Sequence, residues 1–324
     1  MKGADVMKIK PFPGYENHIA SNLADKSSQE IQARAKAQVE AMIAYELPEG
    51  MTMEDRRIPG PDQNQELKIR VFKPANLPEK APMILDIHGG GFVAGTVDID
   101  NARCIAIAER VPAIVVSVEY RLSGQDGIHF PKPMQDCHAA YIYMHKHAEE
   151  FGGDSERLGL HGSSAGATIA EGLALYLRDR NEIQPALTVL NCPALALNID
   201  ASYSMHQYME LKMGPDNKTV GAEATYLGGY NGQNPSYYAF PSYCSDLGGL
   251  GATMVIVAEY DTLRDSGLDY AQRLLQFGVP CEIYQAPRLG HCYSSAPHPF
   301  TDFTHDMMAW SFKREFGLLE DLKK

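Results

Sequence analysis

The chain has 324 residues, 44% of them hydrophobic and 22% charged, with a formal net charge of −12. That is the composition of a globular protein long enough for one large α/β domain or two smaller ones. The acidity argues against nucleic acid or an anionic membrane surface as the main partner, and no apolar run is long enough for a membrane span. The first thirty residues carry charges throughout and no apolar signal-peptide core. The six cysteines form no C-x-x-C pair, so they read as buried thiols rather than zinc ligands, and a cytoplasmic location follows as the default.

Residues 1–50 read as a helical segment. Ser27 and Glu30 form a plausible capping box, and Ile31, Ala35, Val39, Met42 and Ile43 mark one apolar face that Pro48 and Gly50 end. That face has nothing earlier to pack on, so it is expected on the later domain, as part of a lid. Residues 51–58 and 65–73 read as two strands around the turn Pro59-Gly60-Pro61-Asp62. Further apolar strands are expected at 83–87, 113–118, 158–161, 186–190, 254–258 and 281–284, about eight in all. Helices are expected at 101–110, 133–151, 165–178, 265–277 and 300–316. Alternating strands and helices imply an α/β fold with a mostly parallel sheet covered on both faces.

Residues 199–240 break this alternation and read as an inserted binding or lid element. Met205, Met209 and Met213 share a helical face there, either as core or as a soft acyl pocket. The division expected is a cap from 1–50 and 199–240 on a core of 51–198 and 241–324.

Ligands of open α/β sheets bind beyond the carboxyl ends of the strands, so polar residues that follow strands carry the chemistry. Gly162-Ser163-Ser164-Ala165-Gly166 fits G-x-S-x-G on a strand-turn-helix, which exposes Ser164 as a nucleophile and aims the Ala165 N–H at the same spot. His88-Gly89-Gly90-Gly91-Phe92 also follows a strand. The N–H groups of Gly89 and Gly90, with that of Ala165, would make an oxyanion hole, and His88 would hold the loop. Asp261 and His291 follow the strands 254–258 and 281–284 and complete the order Ser, Asp, His. Glu259 and Asp265 are rival acids, although Asp265 reads as the N-cap of the next helix. His145 and His147 fall on a predicted helix and read as a solvated face rather than a metal site.

These motifs together resemble the hormone-sensitive-lipase family of α/β-hydrolases, the bacterial family IV esterases, over roughly residues 50–316. Val118-Glu119-Tyr120-Arg121-Leu122, Phe130-Pro131, Asp136-Cys137, Asp261-Thr262-Leu263-Arg264-Asp265 and Gly290-His291 add to the likeness. The resemblance implies a helical cap, no cofactor or metal, and hydrolysis of small carboxylic esters, with short acyl chains preferred in many bacterial members. It also carries a homodimer through an edge strand as a family expectation. The sequence departs from the family at Ser163, where Asp is usual, at Ala167, where Gly is usual, and in residues 123–130, a loop two residues longer. Two alternatives follow: an amidase or formamidase on the same scaffold, and a non-catalytic binder. The binder would have lost the triad histidine, which this chain keeps as His291.

Overall fold

Strands rich in Val, Ile and Leu have no polar face to turn to water, so they stack side by side under helices. In the computed structural model, which describes residues 10, 12–13, 46–197, 203–204, 220–229, 231–295 and 297–319, they form one eight-stranded sheet. The strands are β1 (Thr52–Pro59), β2 (Glu66–Lys73), β3 (Ala81–Ile87), β4 (Ile114–Val118), β5 (Gly153–Ser163), β6 (Leu187–Asn191), β7 (Ala252–Tyr260) and β8 (Cys281–Gly290). Their order is β1-β2-β4-β3-β5-β6-β7-β8. The β1–β2 and β2–β4 pairs are antiparallel and all others are parallel. Edge strand β1 is largely exposed and carries Glu54, Asp55, Arg56 and Arg57, charges that discourage pairing with another chain.

The described helices are α1 (Asn101–Arg110), α2 (Lys132–Lys146), α3 (Ala148–Phe151), α4 (Ala165–Asp179), α5 (Val220–Leu227), α6 (Arg264–Gln276) and α7 (Pro299–Glu315). The period-two alternation of the strands divides the core. Met83, Leu85 and Ile87 of β3 face Met134, Tyr141, Ile169 and Leu173 of α2 and α4. Ile84 faces the other way, toward Cys104 and Ile107 of α1 and Met308 and Phe312 of α7. No helix among the described residues is long and apolar enough to cross a membrane.

Some expectations change. The single helix over 133–151 is two, because His147 leaves helical geometry (φ −115°, ψ 24°) and Gly152 closes the second piece in the left-handed region. Not all the cysteines are buried: Cys281 and Cys292 are only partly so. The amphipathic segment 27–43 and Met205, Met209 and Met213 lie outside the described residues. Within the insertion, α5 is described. Its Tyr226 stacks on Phe92 (centroids 4.0 Å apart), and its carbonyl accepts the Phe130 N–H at 2.6 Å. The longer loop 123–130 therefore fastens the glycine loop to α5, and the Ser123 N–H donates to the Phe92 carbonyl at 2.8 Å.

Phe312 is wholly buried on β5, and only a glycine at 159 leaves it room, since a Cβ there would lie 2.7 Å from the ring. Phe312→Ala is expected to cost about 3–5 kcal/mol in urea unfolding. A loss under about 1 kcal/mol would show that α7 does not depend on this contact.

Candidate active site

A serine can stand clear of a sheet only if the chain reverses abruptly. Ser164 does so at φ 55°, ψ −121°, directly between β5 and α4. The reversal is so close that a Cβ on Gly162 would lie 2.4 Å from the Gly166 carbonyl oxygen, and one on Gly166 would lie 2.0 Å from that of Ile87. The Ser164 N–H donates to the Asn191 carbonyl of β6 at 2.8 Å, which ties the turn to the next strand.

The register of β7 and β8 delivers the other two groups. Ala258 pairs with Ala286, but Tyr260 pairs with Gly290, so a bulge on β8 restores alignment at the strand ends. Asp261 and His291 therefore leave the sheet side by side. His291 Nδ1 lies 2.7 Å from Asp261 Oδ2, and its Nε2 lies 2.9 Å from Ser164 Oγ. In the neutral ring the Nδ1–H donates to the carboxylate and Nε2 accepts the serine proton. Asp261 is 1% exposed, and its Oδ1 accepts the Leu263 N–H at 3.0 Å. The rival acids are engaged elsewhere. Glu259 accepts the Arg288 N–H. Asp265 lies inside the first turn of α6, whose N-cap is Leu263, and its carboxylate accepts the Ser204 N–H at 2.7 Å instead of capping the helix.

The glycine loop presses against the serine turn. A Cβ on Gly89 would lie 3.0 Å from the Ser163 carbonyl oxygen and 3.4 Å from Ser164 Cβ. Gly90 turns at φ 122°, a conformation open to glycine, with its carbonyl accepting the Ala94 N–H at 3.0 Å. The N–H groups of Gly89, Gly90 and Ala165 have no acceptor among the described residues. His88 holds the loop as expected. It is buried, stacks on Tyr120 (4.2 Å) and bonds the Gly89 carbonyl through Nδ1 at 2.7 Å, while the Tyr120 hydroxyl donates to its carbonyl. Arg121 pairs with buried Asp136 through Nε and Nη2, so the Tyr-Arg-Leu motif is a scaffold under this loop. His145 and His147 bond the Ser155 carbonyl and Glu150, away from the site.

A cavity of about 300 Å³ reaches Ser164, His291, Gly89 and Gly90. Its wall holds three groups that the sequence analysis did not single out: Asp100, Arg103 and Cys292. Arg103 is 3% exposed and donates to Asp100 Oδ1 at 2.7 Å and to Ser295 Oγ at 3.0 Å. Burial outweighs Arg103 and pushes the Asp100 carboxyl up to about 7. A second cavity of about 200 Å³ lies beyond Arg103 and holds none of the triad. Cys292 follows His291 directly in the chain, the one sequence signal that could have flagged it.

The family described as alpha/beta hydrolase fold matches residues 84–295. Esterase LipI of Mycobacterium tuberculosis is 33% identical over 236 residues, 69% of this chain and 70% of its own length. The chain belongs to the hormone-sensitive-lipase family of α/β-hydrolases, the family IV esterases. An arylesterase of Saccharolobus solfataricus is 27% identical over 86% of this hydrolase and 89% of its own chain. The solved structure of a bacterial heroin esterase superposes with a TM-score of 0.80 at 33% identity, covering 89% of the hydrolase and 92% of that chain. Nothing in these comparisons favours the amidase alternative.

Burial opposes charge on His291, but the Asp261 carboxylate, and then Cys292, hold its imidazole above the ordinary value of 6.5. Only the neutral ring accepts a proton, so kcat/KM is expected to rise with pH along a limb centred above 6.5. Cys292→Ala removes a negative partner of the imidazolium, so its limb is expected at lower pH. A pH–rate profile with an unmoved or raised limb would contradict this electrostatic coupling.

Proposed function

We propose that this carboxylic ester hydrolase is a serine esterase working through an acyl-enzyme on Ser164. The observation that carries the reading is the continuous relay Ser164–His291–Asp261, at 2.9 and 2.7 Å. Ser164 Oγ attacks the ester carbonyl as its proton passes to His291 Nε2. The carbonyl oxygen becomes an oxyanion facing the N–H groups of Gly89, Gly90 and Ala165, donors of a kind worth about 3 kcal/mol each. The C–O bond to the alcohol then breaks as the imidazolium returns its proton to that oxygen. Water, deprotonated by the same ring, releases the acid and restores Ser164. Asp261 keeps the Nδ1–H tautomer in place and stabilises the imidazolium.

Short acyl groups are the preferred substrates in this reading. A cavity of about 300 Å³ is at the small end for ligand sites. We assign 51–198 and 241–324 to the catalytic core, with 1–50 and 199–240 as its cap. The stacking of Tyr226 on Phe92 and the bond from the Ser204 N–H to Asp265 support that division for the described part of the insertion. Six unpaired cysteines support a cytoplasmic location. Edge strand β8, with Ile283 42% exposed, is where a homodimer would pair.

p-Nitrophenyl esters from acetate to laurate are expected to turn over more slowly as the chain lengthens, and Ser164→Ala to lose roughly a millionfold in kcat. No turnover by the folded wild type, or full turnover by Ser164→Ala, would sink the reading. The identity of the acid is tested separately: Asp261→Asn is expected to lose about 10⁴-fold in kcat, whereas Glu259→Gln stays within a few-fold of wild type. The reverse ranking would reassign the third member of the triad.

A further inference from the structure

Two cysteines meet beside the histidine of the triad. Cys192 leaves the carboxyl end of β6, and Cys292 leaves that of β8 one residue after His291. They stand one hundred positions apart, so no spacing motif marks them in the sequence. Both take the left-handed backbone region (φ 51° and 53°), where a residue with a Cβ is uncommon. The Cys292 N–H donates to Cys192 Sγ at 3.4 Å. The two sulfurs and a ring nitrogen of His291 all lie within 4.8 Å of one another.

That triangle is near the size a metal ion requires. A tetrahedral zinc bonds sulfur at about 2.3 Å and nitrogen at about 2.0–2.1 Å, which places its ligand atoms roughly 3.5–3.8 Å apart. Contraction by at most about 1.3 Å would close the ring around an ion. Two thiolates and an imidazole are a donor set for a soft or borderline cation and a poor one for magnesium or calcium. Cys292 and His291 both line the cavity that holds Ser164, so the ion has a route in and an open fourth position for water or the serine oxygen.

We propose that Cys192, Cys292 and His291 form a binding site for one soft divalent cation, zinc or cadmium, and that its occupation switches the hydrolase off. The step is an exchange without redox change: Cys192 releases its thiol proton, the Cys292–His291 contact releases the proton it holds, and the two thiolates and a histidine nitrogen bind the ion. Both ring nitrogens already serve the relay. A metal on Nε2 takes the lone pair that accepts the Ser164 proton, and a metal on Nδ1 displaces Asp261. Either choice leaves the serine without its oriented base. The consequence rests on the esterase reading, while the binding itself does not.

The test is a titration of the reduced full-length protein with cadmium chloride, following the ultraviolet thiolate-to-cadmium charge-transfer band and hydrolysis of a p-nitrophenyl ester in the same samples. The band is expected to saturate at one ion per chain as activity is lost, with EDTA reversing both. Cys192→Ala and Cys292→Ala, each normalised to its own uninhibited rate, are expected to need more than about tenfold more cadmium, the scale seen even for losses around a metal's ligands. His291→Ala, read by the band alone, is expected to bind more weakly. No band at stoichiometric cadmium, or equal affinity in all three variants, would overturn the site. Saturation with activity intact would overturn the ligation by His291. Inactivation by diamide without cadmium binding would overturn the metal site in favour of a disulfide between the same sulfurs. A chain inactive on every ester would refute the esterase reading and leave the band titration as a complete test of binding.

Discussion

Ser164 is held where few residues other than glycine rest, at φ 55° and ψ −121°, and the organisation of the site follows from that constraint. Such a conformation costs of order 1–3 kcal/mol and persists only when its surroundings determine it. Here they do so on three sides. Gly162 and Gly166 leave no room for a Cβ, the Ser164 N–H is tied to the Asn191 carbonyl, and Gly89 closes over the turn from β3. The same packing that strains the serine brings the glycine loop within reach of any oxygen bonded to it. Ser164 and the N–H groups of Gly89, Gly90 and Ala165 are parts of one arrangement of backbone.

Charge is handled with similar economy around that point. Beneath the site Asp86 and His161 form a wholly buried pair at 2.7 Å, with Ser117 donating to the other carboxylate oxygen. Burial outweighs that partner at His161 and keeps the ring neutral, so the pair contributes one anion rather than two opposed charges. Arg103 and Asp100 line the cavity wall, and Arg121 and Asp136 anchor the loop that follows β4. Arg103 and Asp100 border the cavity in front of Ser164 together with His291, Gly89 and Gly90. Cys292 borders it too, its sulfur placed against His291, and the expected pH response and the proposed metal site both turn on that one contact.

The sheet, and the three residues Ser164, Asp261 and His291 that the structure brings together, are legible in the sequence because their signals are local or strictly ordered. A short run such as Met83-Ile84-Leu85-Asp86-Ile87, followed directly by His88 and three glycines, fits a buried strand, and G-x-S-x-G, Asp261 and His291 come in the one chain order this fold uses. Tertiary choices were not legible. The break at His147 depends on a left-handed Gly152 and not on any change in periodicity. Asp265 had the right residue type for an N-cap, but Ser204, sixty-one residues earlier, captures its carboxylate. The bulge in β8 that aligns Gly290 with Tyr260 leaves no compositional mark. The meeting of Cys192 with Cys292 requires the strand order itself, since β6 and β8 are neighbours only through β7.

Covalent capture of the nucleophile decides whether Ser164 is the reacting group. Treatment of the protein with a p-nitrophenyl phosphonate, followed by peptide mapping by mass spectrometry, should place a single adduct on Ser164, in step with the loss of esterase activity. An adduct on Ser163 or on any other residue, or complete inhibition with Ser164 unmodified, would contradict the assignment of this strained serine as the reacting group.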